Sequence, residues 1–251
     1  MKTIILSAGQ GRRLLPKTAH APKCTLTVGD RSVIEWQIDT LLENGVDSIT
    51  VVAGYGAKRV RGLLEERYDT RRVRTLYNSL FEVGDNLVSC WTARREMNED
   101  FILLNGDTLF EPAVLELLLS SPVKPVTLAT NFKVSYDADD MKVQLDGNRL
   151  ARVGKTLPPD QVDGESMGMM LFREQGGRLF RAALERMIRK PEAFKQWYLS
   201  VIDTMAQSGL VWTQSMRGLE WTEIDDLADL EHAQAVVPRW AQRQEYLQML
   251  A

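Results

Sequence analysis

Along its first half the chain alternates short, wholly apolar runs with stretches of helical periodicity, each closed by glycine or a polar turn. Thr3 to Ser7 reads as a strand, Ser32 to Asn44 as a helix with Gly45 at its C-cap, and Ser48 to Ala53 ("SITVVA") as a second strand. A helix over Ala57 to Arg67, a strand over Val73 to Tyr77 and a helix over Asn86 to Met97 follow. "DFILLNGD" then supplies a strand that is apolar on both faces, as a central parallel strand is, and that runs into a carboxylate, Asp107. A helix over Pro112 to Leu119 and a strand over Pro125 to Ala129 complete a pattern that predicts an α/β domain with a mostly parallel sheet covered on both faces.

Beyond residue 136 the texture changes. "MKVQLDGNRLARVGK" sets the turn signal Asp146-Gly147-Asn148 between two alternating runs, which predicts an antiparallel hairpin. Asp137 to Met170 is expected to form a smaller β-rich section over the open end of the sheet. Helices are expected over Gln175–Arg189 and Glu192–Ser208, a strand over Val211–Gln214, and an extended "LEWTEID" that turns into a last helix near Leu227. Trp240, Tyr246, Leu247 and Leu250 on that helix would pack on their own domain or form a homodimer surface.

Composition narrows the partners. The chain has 251 residues, 44% of them hydrophobic, and a net charge of -3, so it holds one sizeable core and has no global field for a polyanion; no nucleic-acid partner is expected. Two cysteines, Cys24 and Cys90, are too few for a disulfide framework and fit a reducing cytoplasm. The apolar start breaks off after Leu6, too soon for a secretory leader, and no later run is long enough to span a bilayer, so no membrane insertion is expected.

Chemistry concentrates in "LSAGQGRRLLPKTAHAPK", Leu6 to Lys23. Gly9 and Gly11 after a strand let backbone approach a phosphate, Arg13 can fork two oxygens, and Lys23 behind Pro22 adds a point charge. A solvated basic loop has the same composition. The third glycine of a dinucleotide fingerprint is absent, position 14 being Leu, and no acidic residue ends the second strand; both disfavour an oxidoreductase. Asp107, with Gly106 before it, and Asp225 in "WTEIDD" are carboxylates at separated strand ends, a donor set that suits Mg2+ completed by phosphates. Either aspartate alone would serve as a turn or cap residue. His20 and His232 lack a base partner and are given no chemistry.

The loop pattern LxxGxGxRLxPxTxxxPK resembles the signature of nucleotidyltransferases of Rossmann-like, GT-A-like fold, matching at Leu6, Gly9, Gly11, Arg13, Leu14, Pro16, Thr18, Pro22 and Lys23, with Arg12 departing from the usual Thr or Ser. "YNSLFEVGDNLVSCWTAR", Lys155 with Gly164-Glu165 and Gly168, "QWY" and "WTEID" resemble the bacterial choline-phosphate cytidylyltransferases and their relatives that activate small phospho-compounds. That resemblance implies a single nucleotidyltransferase domain with a nucleotide-binding half over 1–135 and an acceptor-binding section over 136–251. It implies Mg2+ on Asp107 and Asp225, catalytic Arg13 and Lys23, and a nucleotide, CTP by this likeness, held by Leu6, Ala8, Gly9, Gly11, Arg12, Asn78, Asn86, Ser89 and Gly106. A small phosphorylated acceptor would meet Lys155, Glu165 and an aromatic wall drawn from Tyr136, Trp91, Trp197, Tyr198 and Trp221, where cation–π attraction is worth about 0.5–2 kcal/mol. A sugar 1-phosphate acceptor and a catalytically silent nucleotide-binding regulator are the alternatives.

Overall fold

The computed structural model describes residues 1–250, with side chains through Trp240 and that of Arg243. Its nine-stranded sheet begins with the apolar run β1 (Lys2–Ser7). A tiny hairpin of β2 (Thr27–Val28) and β3 (Arg31–Ser32) leads into α1 (Val33–Glu43), whose start is set by a capping box between Ser32 and Glu35. β4 (Ser48–Ala53), α2 (Ala57–Arg67) and β5 (Val73–Tyr77) lie where the apolar pattern predicts them. α3 is shorter than expected, Asn86–Thr92, and passes at Ala93 into a 3-10 turn over Arg94–Glu96, where the Arg94 guanidinium stacks on Trp91 at 3.9 Å and donates to the Trp91 carbonyl. β6 (Phe101–Asn105), the short β7 (Thr108–Phe110) and α4 (Pro112–Leu119), with proline at its first position, follow.

Next come β8 (Val126–Asn131), the hairpin β9 (Lys142–Asp146) and β10 (Arg149–Gly154), and the fully buried β11 (Gly164–Phe172). α5 (Gly176–Met187) precedes α6 (Leu199–Gln207), then β12 (Val211–Ser215), β13 (Trp221–Glu223) and α7 (Leu227–Leu250). The helix expected over Glu192–Ser208 is broken. A 3-10 turn spans Pro191–Lys195, Gln196 is extended, and Tyr198 is pinned because its backbone N–H donates to Asn86 Oδ1 and its hydroxyl to Asn105 Oδ1.

The strand order is β5-β4-β1-β6-β11-β8-β12-β10-β9, with β9 also pairing the start of β11. β5, β4, β1 and β6 are mutually parallel, and β8 and β12 are parallel to each other; β11 pairs antiparallel to both β6 and β8. The smaller β-rich section is continuous with the main sheet: its hairpin extends the sheet beyond β12 and curls back until β9 meets β11. Period-two alternation assigns the core. Ile4, Leu103 and Phe172 face α3, α5 and α6, whereas Ile5, Ile102, Leu104 and Leu171 face α1, α2 and α4. Phe101 and Phe172 stack at 4.5 Å across the β6–β11 boundary, a pair worth about 0.5–1.5 kcal/mol beyond its buried area. Trp240 closes a third cluster under α7 with its indole N–H on Glu220; Tyr246, Leu247 and Leu250 lie outside the described side chains. Among the described residues no helix is long and apolar enough to cross a membrane.

Candidate functional site

The carboxyl ends of β1, β4 and β6 open on the same side, the general location of ligand sites in such sheets. A cleft of about 1030 Å3 lies there, walled on one side by Ala8, Gly9 and Arg12 and on the other by residues 81–86 and Ser89, with Asn105 and Asp107 also lining it. Two glycines allow its construction. At Gly11 (φ 73) a Cβ would stand 2.9 Å from Lys23 Cβ, so the glycine lets Lys23 run alongside the loop. At Gly106 a Cβ would sit 2.0 Å from Ser7 Oγ and 2.6 Å from the Leu6 carbonyl, so β1 and the turn after β6 touch only because no side chain intervenes. The loop is tied down by the buried Thr18, whose hydroxyl donates to the Gly11 carbonyl at 2.8 Å, and by the Tyr55 hydroxyl on the Ala19 carbonyl at 2.6 Å.

A chain of alternating charge crosses the mouth of the sheet. Lys23 Nζ stands 2.8 Å from Asp107 Oδ2 and 2.7 Å from Asp225 Oδ1, so carboxylates brought in by β6 and by the segment after β13 converge on one cationic centre. Arg13 Nη2 meets the other Asp225 oxygen at 3.0 Å, and its Nη1 meets Asp139 Oδ2 at 3.0 Å. Asp139 Oδ1 in turn takes Lys155 Nζ at 3.2 Å, and that ammonium lies 4.7 Å over the Trp197 ring. Burial opposes the charge on Lys23, but the adjacent Asp107 and Asp225 outweigh it and raise its pKa. At Asp225 burial is likewise overcome, here by Lys23 and Arg13, and its pKa is lowered. Glu223 goes the other way: burial first, then the charges of Asp107 and Asp225, push its carboxyl up to about 8.

Asp107 Oδ1 is buried and has no hydrogen-bond partner, and a pocket of about 130 Å3 lined by Gly11, Lys23, Gly106 and Asp107 adjoins it. A buried carboxylate oxygen left unpaired is costly, so this atom is a ready acceptor. Among the described residues no cluster of three or more His, Cys, Asp or Glu is built to enclose a metal. Two converging carboxylates with one open oxygen are instead a set that could hold Mg2+ when phosphates complete its shell.

The predicted residues sort by position. Leu6, Ala8, Gly9, Arg12, Asn86 and Ser89 line the cleft; Gly11, Lys23, Gly106 and Asp107 line the small pocket; Arg13 turns away from the cleft wall towards Asp225 and Asp139. Asn78 is not on the wall. It is buried, donates to Ser89 Oγ at 3.1 Å and accepts the Leu80 N–H, so it fixes the turn beside the cleft from behind. The aromatic wall also contracts. Tyr198 is fully buried as a strut to Asn105, Trp221 lies on β13 against the α1 and α4 side of the core, and Trp91 packs in the opposite core layer under Arg94; Trp197, 39% exposed, and the half-buried Tyr136 remain at the rim. Glu165 is buried and bound to Lys133 at 3.0 Å, with burial holding its pKa up. Asp139, Glu223 and Lys133 escaped the sequence reading. Glu223 had a signal, its place two residues before Asp225, but Asp139 sits in a polar loop with nothing local to mark it.

The profile of the MobA-like NTP transferase domain matches residues 3–136. The chain is 28% identical to the CMP-5'-(3-aminopropyl)phosphonate synthase of Streptomyces rubellomurinus over 93% of its own length and 38% of that protein's. It is 33% identical to the choline-phosphate cytidylyltransferase of Streptococcus pneumoniae over 57% of this chain and 62% of the other. It thus spans less than two thirds of either relative. The inositol-1-phosphate CTP transferase from T. maritima superimposes with a TM-score of 0.77 over 93% of this chain and 94% of that one, at 22% identity, a likeness of fold.

Proposed function

The chain belongs to the MobA-like NTP transferase family, and from that premise we propose that it is a cytidylyltransferase that joins CMP, taken from CTP, to a small acceptor carrying a phosphoryl or phosphonyl group together with an amine, with release of pyrophosphate. The observation that carries this reading is the convergence of Asp107, Asp225 and Lys23 at the foot of a cleft walled by a glycine loop. An acceptor oxygen attacks the α-phosphorus, the new O–P bond forms as the bridge to the β-phosphate breaks, and the electron pair leaves on pyrophosphate. A phosphate acceptor is already mostly dianionic near neutral pH, with a second pKa of about 6, so no general base is required. The absence of a histidine dyad from the site fits this chemistry.

The residues then divide the work of alignment and charge neutralisation. Lys23, kept protonated by its two carboxylates, places its charge where the α-phosphate arrives. Arg12 on the cleft wall and the backbone N–H groups of the Gly9–Gly11 loop flank the place of the departing pyrophosphate, while Arg13, turned towards Asp225 and Asp139, lies between that place and Lys155. Asp107 and Asp225 are the residues that would hold Mg2+, which when bound supplies neutralising charge to the phosphates. Lys155, on the far side of Arg13, faces the acceptor. The two cysteines, Cys24 and Cys90, are free and buried, which fits a reducing, cytoplasmic setting.

The test is pyrophosphate release with Mg2+, run as a grid of nucleoside triphosphates against phosphocholine, 2-aminoethylphosphonate, 3-aminopropylphosphonate and glucose 1-phosphate. Turnover confined to CTP with an amine-bearing acceptor is expected. Turnover with glucose 1-phosphate alone would replace the reading by nucleotide-sugar synthesis, and nucleotide binding without turnover would leave a regulator.

A further inference from the structure

The cations best placed to receive an acceptor's phosphoryl group are already taken. Asp139 reaches from the loop between β8 and β9 and gives one carboxylate oxygen to Arg13 at 3.0 Å and the other to Lys155 at 3.2 Å. A dianionic phosphoryl group would bridge the same two donors in the same way, one oxygen to each. The neighbouring carboxylates have other partners: Asp140 and Glu165 share Lys133 at 2.8 and 3.0 Å, and Asp85 accepts the Asn86 N–H. The loop is anchored independently of Asp139, because Lys142, itself buried, donates to the carbonyls of Asp137, Asp140 and Lys155. The Asp139 side chain is 68% exposed, so it can let go of its cations without the loop unfolding.

We propose that Asp139 is a specificity-determining residue: it occupies the seat of the acceptor's phosphoryl group between Arg13 and Lys155, is displaced when the acceptor binds, and then pairs with the acceptor's amine. This rests on the function proposed above and deepens it. The physical basis is conservation of ion pairs. An acceptor with only an anionic group takes over Arg13 and Lys155 and strands Asp139 without a partner. An acceptor with both charges replaces every pair it breaks, its anion on the two cations and its ammonium on the freed carboxylate.

The experiment compares binding of n-propylphosphonate, 3-aminopropylphosphonate and CTP to the wild type and to Asp139→Asn by calorimetry, with CTP-dependent pyrophosphate release measured in parallel. Wild type is expected to bind the amine-bearing phosphonate more tightly than the plain one. In Asp139→Asn the plain phosphonate should bind about fivefold more tightly, since it no longer competes with a carboxylate, while the amine-bearing one gains nothing or weakens. Asp139→Glu should restore the preference. An unchanged ratio in Asp139→Asn overturns the proposal, as does tighter binding of CTP alone, which would assign the seat to the nucleotide. Because binding is read separately from turnover, a wild type that discriminates between the phosphonates but releases no pyrophosphate from CTP would overturn the proposed function and leave this exchange standing.

Discussion

Lys23 holds two carboxylates at 2.7–2.8 Å at the floor of the site and Lys155 holds one at 3.2 Å at its rim, yet the two arrangements are built differently. The Lys23 side chain is only 13% exposed and its partners come from the ends of sheet strands, whereas Asp139 stands on an open loop. Coulomb attraction at the floor acts in a lower dielectric and is poorly screened; at the rim, salt with a Debye length of about 8 Å at physiological strength erodes it. The lesson is a division of labour. A rigid, buried floor can be preorganised for charge that develops during reaction, and an exposed rim can exchange partners.

If the floor carries the chemistry, Asp107→Asn should keep the fold and cut pyrophosphate release by about 10^3-fold, and near-normal turnover would remove the floor from the reaction. Lys23→Met should cost about 10^2-fold, chiefly in kcat, since it takes away charge at the α-phosphate while leaving the cleft wall intact. Gly106→Ala tests the rigidity itself: a Cβ within 2.6 Å of the Leu6 carbonyl has to push β1 and β6 apart, for a loss of about 1–3 kcal/mol visible as a lower Tm. An unchanged Tm would mean that the floor yields. At the rim, Lys155→Ala should raise the acceptor KM about fivefold with kcat little altered, and the wild-type acceptor KM should rise with salt more steeply than the variant's. A fall in kcat alone would move Lys155 to the floor's side of the comparison.

The smallest effect concerns Glu223, whose carboxyl is pushed up to about 8 by burial and by its acidic neighbours. The unfolded chain ionises such a group at about 4.3, so the folded form is the one that keeps the proton between these values. The stability Glu223 contributes is therefore complete below the lower value and is lost as pH rises through the upper one. Thermal denaturation of Glu223→Gln across pH 5 to 8 should show a flatter profile than the wild type. Parallel profiles would mean that the carboxyl is ionised throughout.

Much of the nucleotide half was legible because its signals are local. β4, α2, β5 and α4 begin and end where apolar runs, glycine and proline place them, and Gly9, Gly11 and Lys23 are written in one continuous loop. The second half was harder to read. A buried strand such as β11 has the composition of any apolar run, and nothing in it says that it runs antiparallel between β6 and β8. The helix expected over Glu192–Ser208 was broken by Tyr198, whose partners Asn86 and Asn105 are over ninety residues away. Tyr198 had the chemistry of an acceptor wall but was taken into the core, where large aromatic side chains bury the most area, and Trp221 is half-buried against the core from β13.

By itself, then, the sequence determined the alternation of elements, the glycine and cation loop, and two carboxylates at strand ends, since each depends on neighbours within a few residues. Tertiary structure alone decided which carboxylate meets which cation. Lys23 joins Asp107 and Asp225 across separations of 84 and 202 residues, and Arg13 reaches Asp139 across 126. Pairing at such range is set by where the sheet delivers its strand ends, because a charge has no partner preference in sequence and binds whatever opposite charge the packed backbone brings within 3 Å.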